Sequence, residues 1–177
     1  LQLEKTTTAD TSEEEYLRII YSKTASLFET ASACAAISVN ATEEIVEAAK
    51  EYGKNLGLAF QIKDDIMDYE SSDISLGKPV GVDLMEKKIT LPLLGALETV
   101  NEDEKKEIRK KVAEIDSKPE NAEEVRQFVF AKGGIQCAKN RLRKYVEKAV
   151  ESLSILPDSK EKEYLTALAG FSADRKI

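Results

Sequence analysis

The chain has 177 residues, of which 42% are hydrophobic and 33% are charged, and its formal net charge is −7. This acidic balance, with no basic stripe interleaved with aromatic residues, argues against nucleic acid as the main partner, and the absence of histidine excludes Ser-His-Asp catalysis and His-based zinc sites. With only two cysteines, Cys34 and Cys137, a disulfide scaffold is implausible, and a reducing, cytoplasmic setting is expected.

The first predicted element is a helix over residues 13–38. Ser12 and Glu15 form a capping-box pair at its start, and apolar residues then recur at helical spacing as far as Val39. The segment 19–39 is the least charged of the chain, but it still contains charged and hydroxyl side chains. We therefore expect a buried helix and no membrane span.

The second predicted helix begins after a short break at residues 40–42 and ends near Glu70. Two glutamates in its first turn favour a helix start there. The stretch from Leu56 to Ile62 is nearly free of charge, which is unusual for a helix surrounded by solvent. This part of the helix is therefore expected to be buried.

Residues 71–88 are predicted to form a loop, because serine, glycine and proline cluster there. Asn121 and Glu124 form a second capping-box pattern. Five further helices are predicted, over residues 90–99, 102–115, 121–131, 134–154 and 158–171. Without a repeat, a low-complexity tract or a linker, residues 1–177 are expected to form a single all-α domain, which fits a composition rich in Ala, Leu, Glu and Lys.

Three aspartates, Asp64, Asp65 and Asp68, lie close together near the end of the second helix. Asp64 and Asp68 share a helix face and Asp65 flanks them. Their repulsion costs roughly 0.2–0.5 kcal/mol per like-charge pair, and a cation would remove it. Magnesium commonly binds one or two carboxylates together with phosphate oxygens and water. An acidic cluster on a solvated helix is the alternative, but the uncharged stretch before it favours a Mg²⁺ site in a cavity or cleft.

Lysines near these aspartates suggest an anionic ligand. Lys23 falls on the apolar line of the first helix with the hydroxyl of Thr24 beside it, although a surface lysine with a buried stem is the alternative. The loop 77–83 is rich in glycine and contains Lys78, and Lys88 follows it. This pattern indicates a phosphate clamp or, alternatively, a solvated connection.

These features in this order resemble the C-terminal half of the trans-isoprenyl diphosphate synthases, the polyprenyl synthetase family. The matching segments are Lys23-Thr24, Phe60-Gln61-x-x-Asp64-Asp65-x-x-Asp68, Gly77-Lys78-Pro79-Val80-Gly81-Val82-Asp83-Leu84 and Thr90-Leu91-Pro92-Leu93. The last two look like those of long-chain members such as octaprenyl diphosphate synthases. Lys87 stands where a glycine is common in these relatives.

The resemblance implies an all-α isoprenoid synthase bundle of helices around a deep central cavity. It also implies a Mg²⁺-dependent prenyltransferase that condenses isopentenyl diphosphate with an allylic diphosphate to make a trans polyprenyl diphosphate. A cytoplasmic homodimer is expected for the parent enzyme. Asp64 would be the principal magnesium ligand, and Asp65 and Asp68 would act through water or as weaker partners. The allylic diphosphate would be held by Lys23, Lys78 and Lys88, with Thr24 and Gln61 as polar support.

The chain shows one aspartate motif where the family uses two. It is therefore expected to be a C-terminal fragment without the first motif and the isopentenyl diphosphate site, and to be inactive alone. One alternative is a non-catalytic helical subunit that works with a catalytic partner. Another is a helical binding module with an incidental acidic helix.

Overall fold

The computed structural model describes residues 11–70 and 81–175. These residues contain helices and no strand, so the predicted all-α class is confirmed. The α-helices are α1 (Glu13–Ile20), α2 (Ser26–Ser38), α3 (Glu43–Glu70), α4 (Val82–Met85), α5 (Leu91–Leu97), α6 (Glu102–Ala113), α7 (Glu120–Ala131), α8 (Gly134–Ser152) and α9 (Lys160–Asp174). A π-helical turn, Tyr21–Ala25, joins α1 to α2, and a 3₁₀ turn, Leu153–Ile155, follows α8.

The capping box at the start of α1 is confirmed. The Ser12 amide donates to Glu15 Oε2 at 3.0 Å, and the Glu15 amide donates to Ser12 Oγ at 3.2 Å. The predicted helix over 13–38 is also present, except that the π turn interrupts its α-helical hydrogen bonding. Such turns occur frequently at functional sites, and this one contains both residues of the lysine-threonine pair.

The expectation that the segment 19–39 is buried is wrong for most of α2. Leu27 and Ile37 of α2 are exposed by 72% and 56%, and Val39, just after the helix, is exposed by 72%. An apolar pattern indicates that a helix face can be covered, but only the tertiary structure shows whether a partner covers it. No helix within residues 11–70 and 81–175 is long and apolar enough to cross a membrane.

Several predictions about the helices needed correction. Helix α4 lies within the predicted loop 71–88, because the main chain after Gly81 turns into a short helix. The second capping box is wrong, because Asn121 is buried inside α7 and its Nδ2 donates to the Lys111 carbonyl at 3.0 Å. The last helix begins at Lys160, two residues later than predicted, where Ser159 Oγ accepts from the Lys162 amide at 3.2 Å.

Two compact units make up the chain. The first lies within Leu1–Ile19 and Asp64–Lys139, and the second within Ile20–Lys63 and Asn140–Ile177. Helix α3 contributes its residues as far as Lys63 to the second unit and the rest to the first. The largest fully buried side chains of the first unit come from the end of α3, from helices α4 to α7 and from the turn after α6, and include Ile66, Tyr69, Leu84, Leu91, Leu93, Val112, Ile115, Val125 and Val129.

The core of the second unit joins α3 to α8 and α9. Its buried residues are Tyr52, Leu56, Ala149, Leu153 and Ala169. The Tyr52 hydroxyl donates to the Leu165 carbonyl at 2.8 Å, and burial raises the pKa of Tyr52 to about 12. The uncharged stretch of α3 is mostly buried, as its sequence predicts.

Candidate functional site

Asp65 is the most deeply buried of the three α3 aspartates. Its side chain is part of a residue that is only 4% exposed, and its Oδ2 accepts a hydrogen bond from the Tyr16 hydroxyl at 2.7 Å. This bond joins α1 to α3 within the first unit. A buried carboxylate requires such a partner, because unpaired burial of a charge is costly.

Asp68 binds the main chain at the start of α4. Its Oδ1 accepts from the Val82 amide and its Oδ2 from the Asp83 amide, both at 3.1 Å. Burial raises the pKa of Asp68, and these two amide bonds oppose the rise. Asp68 therefore satisfies two amides that have no partner inside the short helix.

Lys88 is connected to Asp68 through Asp83, with which its side chain forms an ion pair. Its Nζ is 3.0 Å from Asp83 Oδ1, and it also pairs with Glu86. Burial alone would lower the pKa of Lys88, but the hydrogen bonds to Glu86 and Asp83 raise it above its usual value, so the ammonium stays charged. The adjacent Lys87 has a left-handed backbone, φ 55°, and its side chain pairs with Asp116.

The structure does not gather the three aspartates around one point. Among residues 11–70 and 81–175, no group of three or more His, Cys, Asp and Glu side chains is arranged to hold a metal ion. The donor chemistry nevertheless fits Mg²⁺ at Asp64 and Asp68, which are partly exposed, since this ion needs only one or two carboxylates beside phosphate oxygens and water. Asp65 fits less well, because it is buried against Tyr16.

In the second unit, the π turn and α3 bring two of the predicted polar residues together. Thr24 Oγ1 donates to Gln61 Oε1 at 2.7 Å, and Gln61 is 6% exposed. Lys23, one residue before Thr24, is exposed. Lys78 lies outside the described residues, so its predicted role stays a prediction, as does that of Lys23.

A glycine allows the π turn to approach α3 this closely. A Cβ atom built on Gly57 would lie 2.5 Å from Ala25 Cα and 3.0 Å from Ala25 Cβ. Only a residue without a side chain fits at such a distance. Gly57 lies one helical turn before Gln61, so the small residue lets the Thr24–Gln61 bond form.

The resemblance also covers the closing segment Ala169-Gly170-Phe171-x-x-Asp174-Arg175, but it assigned no role to Arg175, which packs on the motif residue Phe60. Arg175 Nη2 donates to the Phe60 carbonyl at 2.8 Å, and its guanidinium lies 3.8 Å from the centroid of the Phe60 ring. The same ring is 5.5 Å from that of Phe28. Tyr16 and Asp83 were also missed as partners of the aspartates, because no local pattern links residues so far apart.

Comparisons with known proteins agree with one another. The family model described as Polyprenyl synthetase matches residues 1–129. The octaprenyl diphosphate synthase of Haemophilus influenzae is 42% identical over 174 residues, which are 98% of this chain and 53% of that protein. The octaprenyl diphosphate synthase of Escherichia coli is 38% identical over 175 residues, which are 99% of this chain and 54% of that protein.

Solved structures give the same result. A polyprenyl synthase from Caulobacter crescentus CB15, complexed with calcium and isoprenyl diphosphate, superposes with a TM-score of 0.88 at 33% identity. The match covers 99% of this chain and 54% of that one. The heptaprenyl diphosphate synthase of Staphylococcus aureus gives a TM-score of 0.87 at 33% identity, over 99% of this chain and 54% of that one. The chain thus spans about half the length of the relatives it matches.

Proposed function

Because the chain belongs to the polyprenyl synthetase family, we propose that it contributes the second aspartate motif to a Mg²⁺-dependent prenyltransferase. The whole enzyme condenses isopentenyl diphosphate with an allylic diphosphate and makes a trans polyprenyl diphosphate. One observation carries this proposal. Within the first unit, Asp68 binds the main chain of Val82 and Asp83, and Asp83 binds Lys88, so an acidic and a cationic group are held together.

This arrangement suits the departure of a diphosphate. When bound at Asp64 and Asp68, Mg²⁺ would supply positive charge where the leaving group becomes negative. The Lys88 ammonium would donate a hydrogen bond to a diphosphate oxygen as the allylic C–O bond breaks and the diphosphate leaves with the electron pair. Asp65 has a structural role instead, since its hydrogen bond with Tyr16 fixes the position of the end of α3.

The remaining predicted residues keep their proposed roles in binding the allylic diphosphate. Lys23 and Lys78 would provide positive charge. The bond from Thr24 to Gln61 supports the proposal that these two residues act as a fixed polar pair. Mg²⁺ as the cofactor, the cytoplasmic location and the homodimer of the parent enzyme are part of the same proposal.

The proposal is tested by calorimetric titration of this chain with a non-hydrolysable allylic diphosphate analogue, in Mg²⁺ and in EDTA. We expect binding in Mg²⁺ only. Asp64→Ala should weaken it by at least about tenfold, since even indirect partners of a metal contribute that much. Asp103→Ala is the matched control, because it removes an exposed carboxylate of the same unit.

Absence of binding by a chain that circular dichroism shows to be helical would count against a diphosphate site in this chain. The complete gene product is then assayed for incorporation of labelled isopentenyl diphosphate into prenyl chains. No incorporation in the presence of an allylic primer would favour the non-catalytic subunit, and the prenyltransferase proposal would be withdrawn.

A further inference from the structure

We propose that Asp83 is a positioning residue that holds the Lys88 ammonium in the place where it binds diphosphate. This inference rests on the proposed function, in which Lys88 is a diphosphate ligand. Neither the motif pattern nor the resemblance assigns a role to Asp83. Its contacts do, because it is bonded to an aspartate of the motif and to the lysine.

Three hydrogen bonds fix Asp83 between these two residues. Its amide donates to Asp68 Oδ2 at 3.1 Å. Its Oδ1 accepts from Lys88 Nζ at 3.0 Å, and its carbonyl oxygen accepts from the Lys88 amide at 2.8 Å. The side chains of Asp83 and Lys88 are only 18% and 23% exposed, so solvent screens this pair less than it would a surface pair.

The main chain explains why Lys88 returns to Asp83. Helix α4 ends in a Schellman motif, in which the Lys87 amide donates to the Leu84 carbonyl and the Lys88 amide to the Asp83 carbonyl, both at 2.8 Å. The motif requires a left-handed residue after the helix, and Lys87 supplies it with φ 55°. The turn thus places the start of the Lys88 side chain beside the Asp83 carboxylate.

Fixing the ammonium favours binding because a free lysine side chain has about 2 kcal/mol of rotamer entropy to lose. An ammonium has three donors. In the described part of the chain it pairs with two carboxylates, those of Asp83 and Glu86. Among the described residues these pairs leave the third donor for a phosphate oxygen, so Lys88 can bind diphosphate without leaving Asp83.

A double-mutant cycle on the complete gene product tests this inference with inorganic diphosphate as the probe, at constant Mg²⁺. We expect Asp83→Ala to raise the Kd about tenfold, which corresponds to the loss of one charged hydrogen bond. In the Lys88→Met background the same change should alter the Kd less than about twofold, since residues that act as a unit are not additive. Asp83→Asn, which keeps an oxygen acceptor for Lys88, should restore most of the affinity.

Asp116→Ala is the matched control, because it removes a carboxylate from the neighbouring Lys87 and should leave the Kd within about twofold of wild type. Urea unfolding of every variant identifies changes that only affect stability. An unchanged or lower Kd in Asp83→Ala overturns this inference alone and makes Asp83 a simple counter-ion. The inference is also overturned if Asp83→Ala raises the Kd as much in the Lys88→Met background as it does in the wild type. Absence of diphosphate binding by the wild-type protein overturns the proposed function and this inference together.

Discussion

Asp65 and Asp68 are both aspartates of one helical motif, but their environments give them different partners. Asp65 accepts from a tyrosine hydroxyl, and Asp68 accepts from two main-chain amides. Spacing along a helix places both carboxylates near one another and says nothing about what surrounds them. At the scale of single residues, the sequence therefore predicted the acidic cluster. The fold determined that Asp65 bonds to α1 and that Asp68 bonds to the start of α4.

The bond between Tyr16 and Asp65 is tested with Tyr16→Phe. We expect a loss of about 1.5–3 kcal/mol in the free energy of unfolding, because the hydroxyl donates to a buried, charged acceptor. The measurement is urea unfolding followed by circular dichroism. Tyr164→Phe is the matched control, since Tyr164 is 69% exposed and its substitution should change stability by less than about 0.5 kcal/mol. Equal stability of Tyr16→Phe and wild type would contradict this prediction.

At the scale of helices, a close approach decides where the polar groups of the second unit meet. Gly57 of α3 lies against Ala25, the last residue of the π turn, and Gly53 lies against the Phe28 carbonyl. Periodicity predicted both helices, but it did not predict the π turn, because the spacing of apolar residues does not distinguish a single π turn from an α-helical one. The packing of α3 against this turn is a property of the tertiary structure.

The close approach is tested with Gly57→Ala. The added Cβ would lie 2.5 Å from Ala25 Cα, so we expect a destabilisation of about 1–3 kcal/mol from overpacking. Gly170→Ala is the control, because no described atom lies within 4 Å of its added Cβ, and this change should stabilise α9 by about 0.5–1 kcal/mol. Thermal unfolding of both variants gives the two Tm values. Tm shifts of the same sign, relative to the wild type, would contradict the expected packing.

The conformation of the turn after α4 leads to a second prediction at the scale of helices. Lys87 adopts a left-handed backbone, φ 55°, which costs a non-glycine residue about 1–2 kcal/mol. Lys87→Gly and Lys87→Ala both remove the ion pair with Asp116, and only glycine removes the backbone strain. We expect the glycine variant to be more stable than the alanine variant by about 1 kcal/mol in urea unfolding. Equal stability would mean that the turn relaxes around alanine.

At the scale of the whole chain, an acidic surface coexists with exposed apolar side chains. The net charge is −7, and several large apolar residues are more than 40% exposed in the described structure, among them Leu27, Ile37, Val39, Tyr164, Leu168 and Phe171. Charge of one sign keeps such chains apart, and exposed apolar surface favours association.

Light scattering as a function of pH tests this balance. As the pH falls towards about 5, part of the 33 acidic residues become protonated and the net charge approaches zero. We expect scattering to rise there and to stay low at pH 7. Leu168→Glu should reduce the rise, because it adds negative charge to an acidic chain and removes an exposed apolar side chain. Scattering that does not depend on pH would show that charge repulsion does not keep copies of this chain apart.

The sequence by itself determined the helical class, most helix limits, the capping box of Ser12 and Glu15, and the acidic and basic residues of the candidate site. These features depend on periodicity, local hydrogen bonds and short motifs, which act over a few neighbouring residues. Only the tertiary structure decided that Tyr16 bonds to Asp65, that Asp83 connects Asp68 to Lys88 and that Gly57 admits the π turn. These contacts join residues from different elements, and they depend on packing that no local pattern of residues specifies.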